Sequence, residues 1–129
     1  MVESRTRVEV LLVSHDLNSL ALMKSWIRAA HYRVVSCSSF LAARRFLSRR
    51  VPPAVITEVR LGPFNGLQLV YLAKETHPSV LVAVLADAED SVLRNEAARA
   101  GAAFLVKPVT KDALLTTISG IRSVIENQD

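Results

Sequence analysis

The sequence predicts an α/β domain, a parallel sheet covered by helices on both faces. Short apolar runs alternate with longer stretches of helical spacing along the whole chain. The apolar runs are continuous rather than alternating with polar residues, as expected of strands buried on both sides. Gly and Pro fall between the runs, where turns are needed. The 129 residues fit one domain, half of them are hydrophobic and only 5% aromatic. The core must therefore be filled by Val, Leu, Ile and Ala.

Each element follows from its local pattern. Val8 to Val13 reads as the first buried strand, and Leu17 to Ala30 as a helix with Asp16 as its N-cap. Leu20, Met23, Ile27 and Ala30 form the buried stripe of that helix. Arg33 to Cys37 is the second strand, and Phe40 to Arg49 a helix stopped by Pro52 and Pro53. Ala54 to Glu58 is the third strand, followed by a loop marked by Gly62, Pro63, Asn65 and Gly66. Leu67 to Thr76 is helical and Pro78 ends it. Val80 to Leu85 is the fourth strand, Ala88 to Ala100 a polar helix closed by Gly101, and Ala102 to Val106 the fifth strand. The last helix runs from about Lys111 to Ile125, with Leu114, Ile118, Ile121 and Ile125 on its buried stripe. Gly120 weakens that helix by about 1 kcal/mol relative to Ala, which marks it as a site of close contact.

The pattern is five β-α units in a single domain, 1–129, with no linker, repeat or output domain in view. The formal charge is +4, and part of the excess lies in Arg44, Arg45, Arg49 and Arg50. No aromatic ladder interleaves with these arginines, so a solvated helix face is favoured over a nucleic-acid surface. The single cysteine, Cys37, excludes an internal disulfide and reads as a small core residue. No secretory signal is visible and no run approaches the roughly 20 apolar residues of a membrane span, so a cytoplasmic home is expected. His31 and His77 belong to separate elements and form no spaced metal cluster, and Trp26 reads as packing.

Ligands of doubly wound sheets sit beyond the carboxyl ends of the strands. Four segments occupy those ends: Ser14-His15-Asp16, Glu58, Leu85-Ala86-Asp87 and Lys107-Pro108. Glu58 and Lys107 each end an apolar run, and a charge placed there is costly unless it is paired.

These segments resemble the receiver domain of bacterial two-component response regulators. The resemblance rests on Val10 to Asp16, on Val55-Ile56-Thr57-Glu58-Val59-Arg60-Leu61-Gly62-Pro63-Phe64-Asn65-Gly66-Leu67, and on Ala100-Gly101 through Lys107-Pro108. It covers nearly the whole chain and implies a flavodoxin-like (βα)5 sheet of order 2-1-3-4-5. A phosphorylatable receiver needs a carboxylate to accept the phosphoryl group and a divalent cation held by acids. It also needs a lysine and a hydroxyl to stabilise the product.

Residue by residue, the resemblance places the acceptor at Glu58, where the family has Asp, and the two metal-binding acids at Ser14 and His15. The switch hydroxyl falls on Ala86, or on Leu85 if the register moves by one; neither carries a hydroxyl. The aromatic switch position falls on Phe104, and the site lysine is retained as Lys107. Asp16 matches a third turn position, where helix capping accounts for it. The chain therefore resembles a degenerate receiver, a pseudo-receiver, with no catalytic residue, metal or cofactor expected.

Glu58 retains three readings: a structural acid paired with Lys107, an imitation of a phosphorylated aspartate, or a true acceptor. The imitation carries a charge of −1 against nearly −2 for a phosphate. Thr57 and Ser14 are nearby hydroxyls, and strand alternation turns Thr57 away from Glu58. The expected partner is a protein: a histidine kinase, a response regulator or another effector. The family's usual interface of fourth helix, fifth strand and fifth helix is the first candidate surface, for a homodimer as well. A small-molecule module is the other reading, but none of the four glycines opens a helix after the first strand.

Overall fold

The computed structural model describes residues 7–126, with side chains up to residue 120; the predicted core positions Ile121 and Ile125 lie outside the described side chains. In chain order the elements are β1 (Glu9–Val13), α1 (Leu17–Ala29), β2 (Arg33–Cys37), α2 (Phe40–Arg49), β3 (Ala54–Glu58), β4 (Arg60–Leu61), β5 (Phe64–Asn65), α3 (Leu67–Thr76), β6 (Leu81–Ala86), α4 (Ser91–Arg99), β7 (Ala102–Val106) and α5 (Lys111–Glu126). Five strands form a parallel sheet of order β2-β1-β3-β6-β7. Counting sheet strands alone, this is the 2-1-3-4-5 order that the family resemblance implies.

The period of two along each strand divides the interior into two layers. Val10 and Leu12 of β1, Ile56 of β3 and Leu85 of β6 join Leu20, Met23 and Ile27 of α1 and Leu114 and Ile118 of α5. Leu11, Val13, Val55, Val82 and Val84 face the other way, onto Phe40, Ala43 and Leu47 of α2, Leu69, Val70 and Ala73 of α3 and Ala97 of α4. The strands between them, β1, β3 and β6, are buried almost throughout, which is why they read as uninterrupted apolar runs.

Polar side chains at the strand-to-helix turns start the helices. The Asp16 Oδ1 accepts from the backbone N–H of Asn18 and Ser19 at 3.1 and 3.2 Å, as its predicted cap role requires. Ser39 caps α2 through Ala42 N–H at 3.1 Å, and Thr110 Oγ1 accepts from Ala113 N–H at 3.1 Å. Asp90 caps α4 through Leu93 N–H at 3.1 Å, so that helix begins at Ser91 rather than Ala88; residues 88–90 complete the turn from β6. β6 runs one residue later than predicted because pairing continues to Ala86, opposite Val106.

The loop after β3 is more ordered than its Gly and Pro content suggests. Arg60–Leu61 and Phe64–Asn65 pair antiparallel around Gly62, whose φ of +62° is left-handed. The Phe64 ring stacks on Phe40 of α2 with centroids 4.5 Å apart. Gly66 donates its backbone N–H to Val59 O at 2.6 Å, and a Cβ built on it would lie 1.9 Å from Glu58 O. At Gly120 an added Cβ would come within 3.2 Å of Leu81 Cδ1, so the predicted close approach of α5 to the sheet is present. Gly66→Ala is expected to destabilise the fold by about 2–3 kcal/mol in urea unfolding, because backbone that positions Glu58 must move.

Candidate functional site

Alternation along the strands brings the predicted residues together. Ser14 shares its side of the sheet with Leu12, Glu58 with Ile56, and Lys107 with Leu105, so all three project at one rim of the α1/α5 layer. Glu58 is only 1% exposed and Ser14 is fully buried. Ser14 Oγ donates to Glu58 Oε2 in a close hydrogen bond, and Lys107 Nζ donates to Glu58 Oε1 at 2.7 Å. Each oxygen of the buried carboxylate thus has a donor from the chain itself, the arrangement that makes its burial tolerable.

Lys107 makes a second ion pair, to Asp87 Oδ1 at 2.9 Å. Asp87 lies just beyond the tip of β6 and meets Arg60 of β4 at 3.6 Å. Burial alone would lower the Lys107 pKa, but its hydrogen bonds to Glu58 and Asp87, with their charges, outweigh that and raise it. The Lys107 hydrogen bond and charge hold the Asp87 carboxyl below the usual range, with a smaller contribution from Arg60. Asp87 and Arg60 join this cluster, and sequence reasoning gave neither a role. The available signal was position: β6 neighbours β7, so an acid one residue past Ala86 stands beside the residue that follows Val106.

The other predicted positions do not join this cluster. His15 is exposed, and among the described residues no group of three His, Cys, Asp or Glu side chains could hold a metal ion. Ala86 is buried, and its carbonyl accepts the Lys107 backbone N–H at 2.8 Å. Phe104 faces the α4 layer, where the Arg94 guanidinium lies 4.6 Å from its ring centroid. Arg94 is held by two hydrogen bonds to Glu89, at 2.7 and 2.9 Å. The Thr57 hydroxyl donates to Glu58 O at 3.0 Å rather than to the carboxylate. Cys37 is half-buried, and desolvation raises its thiol pKa. His31, with φ of +72°, and His77 are exposed at helix ends. Trp26 packs half-buried on the α1/α5 core, beside a groove of about 470 Å³ that Leu22, Met23, Val109 and Lys107 also line.

A family model, the response regulator receiver domain, matches residues 10–119. The chain belongs to this family. Among curated relatives, this receiver is 32% identical over 117 residues to the transcriptional regulatory protein GlrR of Escherichia coli (strain K12), which covers 89% of the chain and 26% of the relative. It is 26% identical over 117 residues to the transcriptional regulatory protein ZraR of Klebsiella oxytoca, covering 90% of the chain and 26% of that protein. The receiver thus spans about a quarter of the length of these relatives. Among solved structures it superposes on a response regulator receiver domain protein from Clostridium thermocellum with a TM-score of 0.86 at 21% identity, covering 95% and 99% of the two chains. The BeF3-activated DrrB receiver domain matches with a TM-score of 0.80 at 22% identity, covering 92% and 99%. Among the described residues no helix is long and apolar enough to cross a membrane.

Removing one partner from a buried pair leaves an uncompensated charge. Lys107→Met is therefore expected to cost about 3 kcal/mol in urea unfolding, and adding Glu58→Gln to recover most of it. The pH dependence has two edges. Asp87, with its lowered pKa, contributes above the ordinary carboxylate range and loses that contribution on acidification. Lys107, with its raised pKa, contributes below the ordinary lysine value of about 10.4 and loses it as pH rises through the folded value. The Lys107→Met penalty should accordingly shrink in strongly alkaline buffer.

Proposed function

We propose that this receiver is a signalling module, not an enzyme, and that phosphorylation is not its input. The observation that carries the reading is that both Glu58 oxygens are engaged within the chain, by Ser14 and Lys107. Phosphoryl transfer to Glu58 would have to displace one of these bonds. It would also proceed without metal-binding carboxylates at Ser14 and His15, leaving transition-state charge uncompensated. Glutamate reaches one methylene farther than aspartate, and that reach lets its carboxylate meet Lys107 while accepting from Ser14.

The switch position supports the same reading. Ala86 has no hydroxyl to follow a phosphoryl group, and the β6–α4 turn is tethered instead by Asp87 to Lys107 and Arg60. Output is then protein–protein contact through the surface of α4, β7 and α5, with a kinase, a response regulator or another effector, or with a second copy of the chain. Phe104, the aromatic position of that surface, is covered by Arg94. In this reading Glu58 and Lys107 hold the surface in one state.

Incubation with acetyl phosphate and magnesium, followed by intact-mass measurement, is expected to give no phosphoryl adduct. A stoichiometric adduct that maps to Glu58 and disappears in Glu58→Gln would refute the proposal.

A further inference from the structure

The charges of this chain are segregated along the sequence. Between Asp16 and Glu58 there is no acidic residue, while seven of the sixteen Lys and Arg lie there: Lys24, Arg28, Arg33, Arg44, Arg45, Arg49 and Arg50. The remaining residues hold the other nine cations and all twelve acids. The fold divides this segment: Lys24 and Arg28 lie on α1 in one layer, while Arg44, Arg45 and Arg49 lie on α2 in the other, after the edge strand β2.

Within α2 the division is by helix face. Phe40, Ala43 and Leu47 are buried in the core, whereas Leu41, Arg44, Arg45, Ser48 and Arg49 are exposed. These five fall at i, i+3, i+4, i+7 and i+8, a continuous outward stripe about 12 Å long. Arg50 and Arg33 at its far end share Glu9, at 2.6 and 3.9 Å. Arg44, Arg45 and Arg49 make no ion pair among the described residues, and Arg45 and Arg49 stand four apart, where like charges destabilise a helix. Leu41 heads the stripe at 50% exposed and follows Phe40 in the chain, whose ring stacks on Phe64, itself 38% exposed.

We infer that the outer face of α2 is a docking surface for an acidic protein segment that carries an apolar anchor residue. Arginine forks match carboxylates in pairs, and Leu41 with the edge of Phe64 supplies the apolar contact at one end. Exposed leucine at the head of the stripe favours a peptide over a nucleic-acid backbone, which would meet phosphate-binding groups along its whole length. This surface is separate from the α4–β7–α5 face and does not depend on how Glu58 is read.

The test is an NMR titration of the full chain with three probes: a twelve-residue glutamate-rich peptide with a central leucine pair, an oligoglutamate of equal charge, and a short DNA duplex. The leucine-bearing peptide is expected to bind most tightly, in a salt-sensitive manner, and to shift residues 40–50 and 64. Arg44→Glu/Arg45→Glu/Arg49→Glu should weaken it by about tenfold or more. Leu41→Ser, an exposed change, should leave the urea midpoint unaltered and remove the advantage over oligoglutamate. No binding of the peptide, shifts centred elsewhere, tighter binding of the duplex, or unchanged affinity in Leu41→Ser would overturn the proposal.

Discussion

A carboxylate that is 1% exposed at the rim of a hydrophobic sheet must be paired, and Glu58 is paired twice from within the chain. Ser14 just after β1 and Lys107 just after β7 reach it from opposite sides, β1 being next to β3 and β7 two strands away. Most of the local architecture follows from that requirement. Gly66 must lack a side chain so that the chain can turn against the Glu58 carbonyl, and the β4–β5 hairpin closes over the same point. Lys107 then carries the constraint to Asp87, and Asp87 to Arg60. One buried acid thereby connects the turns after β1, β3, β6 and β7.

The same network supports the proposed reading of a receiver that works without phosphorylation. A phosphorylatable site needs an accessible acceptor, a cation to neutralise the transferred group and a hydroxyl to sense the product. In that reading the acceptor position is taken by Glu58, a longer acid already in contact with Lys107. The resemblance puts the metal-acid positions at a buried serine, Ser14, and an exposed histidine, His15, and the switch position at Ala86. The charge on Lys107 is divided between Glu58 and Asp87, so the β6–α4 turn is tied to β7 without any added group. Further along, Glu89, Arg94 and Phe104 tie α4 to β7 by a second, independent contact. The β6–α4 turn and α4 are thus both held to the β7 end of the sheet by charges the chain itself provides.

Much of this was legible in the residues. Continuous apolar runs such as Val10 to Val13 and Ala54 to Ile56 announced doubly covered strands, and their carboxyl ends gathered Ser14, Glu58 and Lys107 at one rim of the sheet. Asp16 was readable as a cap because a short acid before an apolar helical stripe has few other uses. Asp87 was placed at a strand end but given no role: the implied order already set the fourth strand beside the fifth, and only the structure shows its carboxylate turned onto Lys107. Arg60 was hidden by the hairpin: Gly62 and Pro63 signal a turn, but not that the residues flanking it pair and aim an arginine at Asp87. The start of α4 was misplaced by three residues because Ala88 and Glu89 are good helix formers, whereas the capping carboxylate belongs to Asp90.

The central claim is that Glu58 is closed to a phosphoryl group by bonds within the chain. Its most direct test is a high-resolution crystal structure grown with magnesium and beryllofluoride. The expected result is Glu58 still accepting from Ser14 and Lys107, with no beryllofluoride on its carboxylate and the β6–α4 turn unmoved. Beryllofluoride bonded to Glu58, with Lys107 turned to its fluorines, would contradict the account.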